Sequence, residues 1–368
     1  MNKLRIIFLI ILLAECVFGT IRYVSKTGSS TPPFTSWETA SDSIQKCINI
    51  CVDGDTVIVA NGVYKESLII NAAITFIGSS MDSCVIDGRG LSPGTIKVLR
   101  ECSIEGFSII GKEQANYTRG ILDGNFNISI DISDCKISNC DEAIAIASQS
   151  GIIKSIIVTN VNSGIRTFCI LDTCRPKLLN SVLIINKQGE SAWLSYDGGQ
   201  PTITNNIIVT EGNYATSNSA AAGIKYTYNA HKNIVIRNNL ISGFNFSTVG
   251  TVSDTAKVIN NVFSEKQRSN ATSYSTLWGV SNEDKVYNNI FMKNYNTINA
   301  VTQPTADYNL FWKNDENINP PYYLGSNDII ADPMLVKDTL GYTLKGDKEI
   351  PLKEFRGESS EGSFRLLV

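Results

Sequence analysis

The chain has 368 residues, 43% of them hydrophobic and 18% charged, so it can bury a core and carries less charge than an average soluble protein. With 32 basic and 35 acidic residues its formal net charge is −3, without the basic surplus that marks a nucleic-acid binder. A single histidine sets aside histidine-based zinc sites and two-histidine mechanisms.

Lys3 and Arg5 precede an apolar run from Ile6 to Ala14, and Val17-Phe18-Gly19 supplies a small-residue cleavage pattern. This is the layout of a secretory signal peptide over residues 1–19, which predicts a secreted, extracellular or cell-surface product. An uncleaved anchor is the competing reading, but the run is shorter than the roughly 20 residues that span a bilayer and is broken by Glu15. Leu13-Ala14-Glu15-Cys16 resembles a lipoprotein box with glutamate where a small residue belongs. No later stretch is apolar enough to predict a membrane span.

Residues 20–54 read as an N-terminal cap. Trp37, Ala40, Ile44, Cys47, Ile48 and Cys51 recur at helical spacing, with Ser36 as N-cap, and predict an amphipathic helix over 37–51 lying on an open core. Asp53-Gly54-Asp55-Thr56 then turns into the strand Val57-Ile58-Val59-Ala60. Eight cysteines follow the signal, at 47, 51, 84, 102, 135, 140, 169 and 174. The even number permits disulfides in an exported protein. Cys84, Cys102 and Cys135 instead fall in strand-like runs, where cysteine serves as a small hydrophobe. Cys169 and Cys174 flank a predicted loop and form the best-placed local bridge.

The region 55–344 is a repeat. An aliphatic residue, one or two asparagines, then apolar alternation recurs at Ile203-Thr204-Asn205-Asn206-Ile207, Ile236-Arg237-Asn238-Asn239-Leu240, Ile259-Asn260-Asn261-Val262 and Tyr287-Asn288-Asn289-Ile290. Tyr308-Asn309-Leu310 is a later copy, and weaker copies include Ser133-Asp134-Cys135 and Leu179-Asn180-Ser181. The spacing, about 25 residues, is that of a stacked solenoid. Between copies lie short runs rich in Ile, Val, Thr and aromatics, bounded by turn residues. Each repeat therefore predicts three short strands, one coil of a single-stranded, all-β, right-handed parallel β-helix. Asparagine tolerates the left-handed backbone of a sharp turn and can bond along the axis, so the asparagines predict a structural ladder at one corner. From 345 the chain turns charged, as in Lys345-Gly346-Asp347-Lys348-Glu349, and residues 345–368 read as a tail or a truncated C-terminal region.

Tyr23-Val24-Ser25-Lys26-Thr27-Gly28, Ser43-Ile44-Gln45-Lys46-Cys47-Ile48 and the run from Asp53 through Gly62-Val63-Tyr64-Lys65-Glu66 resemble the opening of exported bacterial proteins of the pectin-lyase-like β-helix superfamily. Ala306-Asp307-Tyr308-Asn309-Leu310-Phe311-Trp312 and Ala331-Asp332-Pro333-Met334-Leu335 are similar to its last turns. The resemblance implies the fold across nearly all of the mature chain. Activity is another matter, because that superfamily holds lyases, hydrolases, esterases, tailspikes and adhesins. The hydrolase Gly-His-Gly segment has no counterpart around His231, and Cys174-Arg175-Pro176-Lys177-Leu178-Leu179 does not reproduce the pectate lyase Arg-x-Pro-x-x-Arg segment. The later aspartate pair and arginine of the methylesterases have no convincing counterpart either.

In β-helix polysaccharide enzymes one outward sheet and its following turn form the substrate groove. The corresponding runs are 120–124, 143–147, 164–168, 192–196 and 223–227, followed less regularly by 248–252, 277–281 and 297–301. Alternation points Ile121, Ile144, Ile165, Trp193 and Ile224 inward. It points Leu122, Ala145, Arg166, Leu194 and Lys225 outward, with Phe168 and Tyr196 in the next column. Arg166 and Lys225 then lie two coils apart, roughly 10 Å, a spacing suited to successive carboxylates of an acidic polysaccharide. Phe168 or Tyr196 offers a face for a sugar ring. In a lyase, Arg or Lys abstracts the proton α to the uronate carboxyl while a cation neutralises that carboxylate. Asp172, Asp197 and His231 fall on adjoining turns, where the two aspartates are candidate calcium ligands. The competing readings are ordinary solvated charges, or a register displaced by one residue that turns the stripe inside out. Two functions stay open: an exported protein that binds, or binds and cleaves, an acidic polysaccharide, and a non-catalytic adhesion or structural surface protein.

Overall fold

Short apolar-alternating runs separated by turns cannot bury one face alone, so each must stack on the next. In the structure, a computed structural model, they do so in parallel. It describes residues 19–89, 94–111, 118–124, 128–147, 150–168, 174–186, 191–196, 199–210, 222–227, 233–244, 249–250, 255–265, 275–315, 323–337 and 342–344. Three facets run along the solenoid. The first is a 12-stranded sheet from Ile21–Val24 to Thr305–Asp307, parallel at every step. The second runs from Gly62–Tyr64 to Ile329–Ile330, and the third from Leu68–Ile70 to Ile298–Ala300. Lys136–Ile146 and Ile157–Phe168 pass from the second facet to the third as single long strands, with Asn139 and Asn160 in the left-handed conformation at the bend.

Inward residues form unbroken columns. On the first facet Phe76, Ile104, Ile132, Ile153, Leu178, Ile203, Ile236, Val258 and Val286 are in register and buried. On the second facet the rings of Phe263, Phe291 and Phe311 stack with 5.2 Å between successive centroids. Truncating one such ring to alanine would cost about 3–5 kcal/mol, because its neighbours on both sides are fixed by the sheet and cannot close the cavity.

The corner between the first and second facets explains the asparagine pairs. The first member of each pair, Asn205, Asn238, Asn260 or Asn288, has a positive φ between 55° and 59°. The second member points inward. Asn206 donates its backbone N–H and its Nδ2 to Oδ1 of Asn239, at 3.0 and 2.9 Å. Asn239 repeats this onto Asn261, Asn261 onto Asn289, and Asn289 onto Asn309. The second Nδ2 proton goes to a carbonyl further back along the solenoid, such as Ile203 O for Asn239 and Ile236 O for Asn261. Each interior rung thus uses two donors and two acceptor positions, which satisfies a buried amide completely. Asp328 ends the chain, accepting from Asn309 N and Nδ2 through Oδ1.

The N-terminal helix differs from the 37–51 expectation: it spans Ile44–Ile48 and its N-cap is Ser43, not Ser36. Ser36 instead exchanges hydrogen bonds with Thr39 in a turn, and Trp37 stays exposed. The cause is a distant carboxylate. Glu66 accepts from Ile44 N, Gln45 N and Ser43 Oγ at 2.8–2.9 Å, satisfying helix-start donors that local sequence leaves open. Ile44, Cys47 and Ile48 are buried in the same cluster as Val57 and Val59. At the other end, Leu335–Lys337 and Tyr342–Leu344 pair antiparallel, a departure from the solenoid pattern expected through 344.

Cys47, Cys51, Cys84, Cys102, Cys135, Cys140 and Cys174 are free thiols. Burial pushes the thiols of Cys84, Cys102, Cys135 and Cys140 up to about 12, as expected of small core hydrophobes. Cys169, the expected bridge partner of Cys174, lies outside the described residues. Among the described residues no helix is long and apolar enough to cross a membrane.

Candidate functional site

The third facet carries two columns of opposite character. The inward one, Leu68, Ile96, Ile121, Ile144, Ile165, Trp193, Ile224, Leu277 and Ile298, is buried throughout. The alternate column runs Ile69, Lys97, Leu122, Ala145, Arg166, Leu194, Lys225, Gly250, Trp278 and Asn299, paired residue to residue over ten coils. It contains three cations and no carboxylate, in a chain whose net charge is negative. Phe168 pairs with Tyr196 in the column that follows, and Tyr196 with Thr227.

Arg166 is not the solvated arm expected from alternation. Its side chain is 21% exposed, and its Nε lies 2.5 Å from Glu142 Oε1, a charge contact without in-line hydrogen-bond geometry. From the preceding coil Arg119 Nε donates to Glu142 Oε2 at 2.8 Å, with Arg119 25% and Glu142 3% exposed. Arg166 sits over Ala145, whose small side chain lets it reach back toward Glu142 on that coil. Burial pushes the Glu142 carboxyl above its ordinary value; Arg119 and Arg166 pull it down less strongly, and Asp141 adds to the rise. Asp141 itself accepts from Asn162 Nδ2 at 3.0 Å, and Asp123 Oδ2 accepts from Ala147 N at 3.1 Å. With Glu142 ionised, the Arg119–Glu142–Arg166 trio carries one net positive charge. Each guanidinium meets the carboxylate through Nε, one of its five donors. The arrangement therefore presents fixed cationic groups at a sheet face.

Lys225 lies two coils from Arg166, in register through Leu194. His231, Asp172 and Asp197 lie outside the described residues, and so does the side chain of Tyr196. Among the described residues no three His, Cys, Asp or Glu side chains gather as a metal cage. Sequence reasoning passed over Lys97, Arg119, Glu142 and Trp278. Gly94–Val98 has the same form as the later runs and would have brought in Lys97. Arg119 and Glu142 stand one residue before the runs beginning at 120 and 143, and only their register reveals the pairing.

No family profile matches the chain, and no curated protein is a recognisable relative. Solved structures resemble it in fold. XylC, in its complex with xylose, superposes with a TM-score of 0.59 at 12% identity, covering 88% of each chain. The DFA-IIIase of Arthrobacter chlorophenolicus A6 in complex with GF2 gives a TM-score of 0.49 at 13% identity, over 75% of this chain and 82% of that one. The AlgE6 A-module of the Azotobacter vinelandii mannuronan C-5 epimerase gives 0.43 at 12% identity, over 78% and 95%. At such identities the likeness to XylC shows the architecture, an all-β parallel solenoid, and nothing finer.

Proposed function

We propose that the third facet binds an acidic polysaccharide laid along the solenoid axis, and that the protein is exported to meet it. The observation that supports this most is the outward column itself, in which Lys97, Arg166 and Lys225 recur and no position is held by an acidic residue. At about 4.8 Å per coil, Lys97 and Arg166 stand roughly 14 Å apart and Arg166 and Lys225 roughly 10 Å. A polymer with regularly spaced carboxylates engages several such cations at once, and the second and third contacts form at high effective concentration. Burying Glu142 between two arginines has a desolvation cost that an apolar pair would avoid. Its return is two guanidiniums held in place. Phe168 borders the column as a ring face, and the reading keeps from the sequence Tyr196 and His231 as further sugar contacts and Asp172 and Asp197 as calcium ligands. Whether the bound polymer is also cleaved is a separate measurement. The same reading takes the winding as right-handed, residues 1–19 as the export signal, and residues 20–54 as the cover of the first coil.

The test is a titration of uronate polymers against the mature protein over a range of salt, with and without calcium. Lys97→Ala and Lys225→Ala should each weaken binding several-fold and flatten its salt dependence, with stability within about 0.5 kcal/mol of the parent. Arg166→Ala should also lose stability, because Glu142 is left with one partner. A parent protein that binds no uronate polymer sinks the reading and leaves a rigid display scaffold. Absorbance of unsaturated products during incubation distinguishes a lyase from a binder.

A further inference from the structure

Two coils beyond Lys225 the same outward column reaches Trp278, its only aromatic residue: Lys225 pairs with Gly250, and Gly250 with Trp278. The intervening glycine has no side chain to stand between the cation and the indole. Trp278 is half-buried, and the residue after it breaks an otherwise regular ladder. Trp278 pairs with Asn299, but Ala300 pairs with Val280, so Gly279 is an extra residue on its strand. Gly279 has φ 78°, the left-handed conformation of a glycine bulge. Such a bulge bends the strand and re-aims the neighbouring side chain, and it occurs here next to the one aromatic of a cationic column.

From this juxtaposition we infer that Trp278 is a stacking platform for one sugar ring of the polysaccharide whose carboxylates meet Lys225 and Arg166. The inference rests on the polysaccharide reading above and adds a position to it. The C–H groups on one face of a pyranose carry small positive charge and match the negative π face of the indole. Carboxylate capture by Lys225 and ring stacking on Trp278 lie roughly 10 Å apart along the axis, and Arg166 to Trp278 spans about 19 Å. A chain must cover that length to use all three, so the indole discriminates by length and by ring shape, whereas the cations discriminate by charge.

The experiment titrates uronate oligomers of increasing length into the parent, Trp278→Ala and Trp278→Phe, following affinity, salt slope and tryptophan fluorescence. Trp278→Ala should bind long oligomers about tenfold more weakly, with an unchanged salt slope and no loss for the shortest ones. Trp278→Phe keeps a ring and should bind nearly as the parent does, while the fluorescence change on binding disappears. That second variant keeps the test decisive if the alanine variant folds poorly. A parent that binds with a steep salt slope, and a Trp278→Phe variant whose fluorescence still responds, would overturn the platform and leave the cationic column standing. A parent that binds no oligomer would overturn both.

Discussion

One corner of the solenoid is built in two ways. Between the first and second facets each coil from Cys102–Ile110 onward turns through a residue of positive φ: Gly106, Asp134 and Ser155 in the earlier of these coils, then Asn180, Asn205, Asn238, Asn260, Asn288 and Tyr308. The backbone is the same throughout, but the next residue, which points inward, is not. Early coils place Phe107, Cys135 and Ile156 there, all buried and apolar, whereas later coils place Asn206, Asn239, Asn261, Asn289 and Asn309. Ser181 stands at the junction. Its Oγ accepts from Ile156 N at 3.2 Å and donates to Leu179 O at 2.8 Å, while its N–H donates to Asn206 Oδ1 at 2.9 Å. The corner accepts an apolar side chain or a continuous chain of amides, each satisfied by the next. An isolated amide is the arrangement it does not contain, because a buried polar group without partners costs more than the bond it could make.

The largest effect should come from breaking the amide chain in its middle. Asn261→Leu removes the acceptor for Asn239 N and Nδ2, and the Nδ2 donor to Asn289 Oδ1 and Ile236 O, all buried. Chemical denaturation should show a loss of about 3 kcal/mol or more. The reciprocal change, Cys135→Asn, puts an amide between Phe107 and Ile156 and should cost about 2 kcal/mol, while Ser181→Asn extends the chain by one rung and should cost less than about 1 kcal/mol. If Cys135→Asn is as mild as Ser181→Asn, continuity is not what the corner requires.

The third facet holds the same rule for a charge, with a smaller and pH-dependent effect. Burial leaves the Glu142 carboxyl above its ordinary 4.5 even beside Arg119 and Arg166. An acid whose pKa is raised by folding contributes most when protonated, below its unfolded value, and that contribution is lost as pH climbs through the folded one. Glu142→Gln imitates the neutral acid. Relative to the parent it should therefore gain stability as pH rises from about 4.5 toward neutrality, read from melting temperatures at a series of pH values. A relative loss over that range would mean that the two arginines outweigh burial and hold the carboxyl below its ordinary value.

These effects also mark what could be read from the sequence. Period, strand alternation and turn residues are local, so the parallel solenoid and the register of Ile121, Ile144, Ile165, Trp193 and Ile224 were legible. The asparagine pairs were legible as a ladder because one residue type repeats at one place. The helix limits were not: Glu66 caps Ile44 and Gln45 from more than twenty residues away, and nothing near Ser36 signals that it will be passed over. The pairing of Arg166 with Glu142 and Arg119 escaped for the same reason, since each partner looks like an ordinary surface charge until coils are laid side by side.

The smallest predicted effect concerns the last member of the corner series. Tyr308 has φ 59° at the position filled by asparagine in the four coils with complete Asn-Asn pairs. For a bulky L-residue the left-handed conformation costs about 1–2 kcal/mol through the approach of Cβ to the following carbonyl, and asparagine lowers that cost by bonding locally. The backbone does not depend on the ring here, because Tyr308 N donates to Asp307 Oδ1 at 2.9 Å and would do so under any side chain. Tyr308→Asn should therefore stabilise the protein by about 0.5 kcal/mol once the lost burial of a half-buried ring is deducted. In a chain of this size that is a rise of roughly 1 °C in melting temperature. Tyr308→Val should move the other way, since branching at Cβ aggravates the same clash. If asparagine lowers the melting temperature instead, the contacts of the tyrosine ring outweigh the strain of its backbone, and the left-handed corner is held at this coil by packing, with side-chain preference secondary.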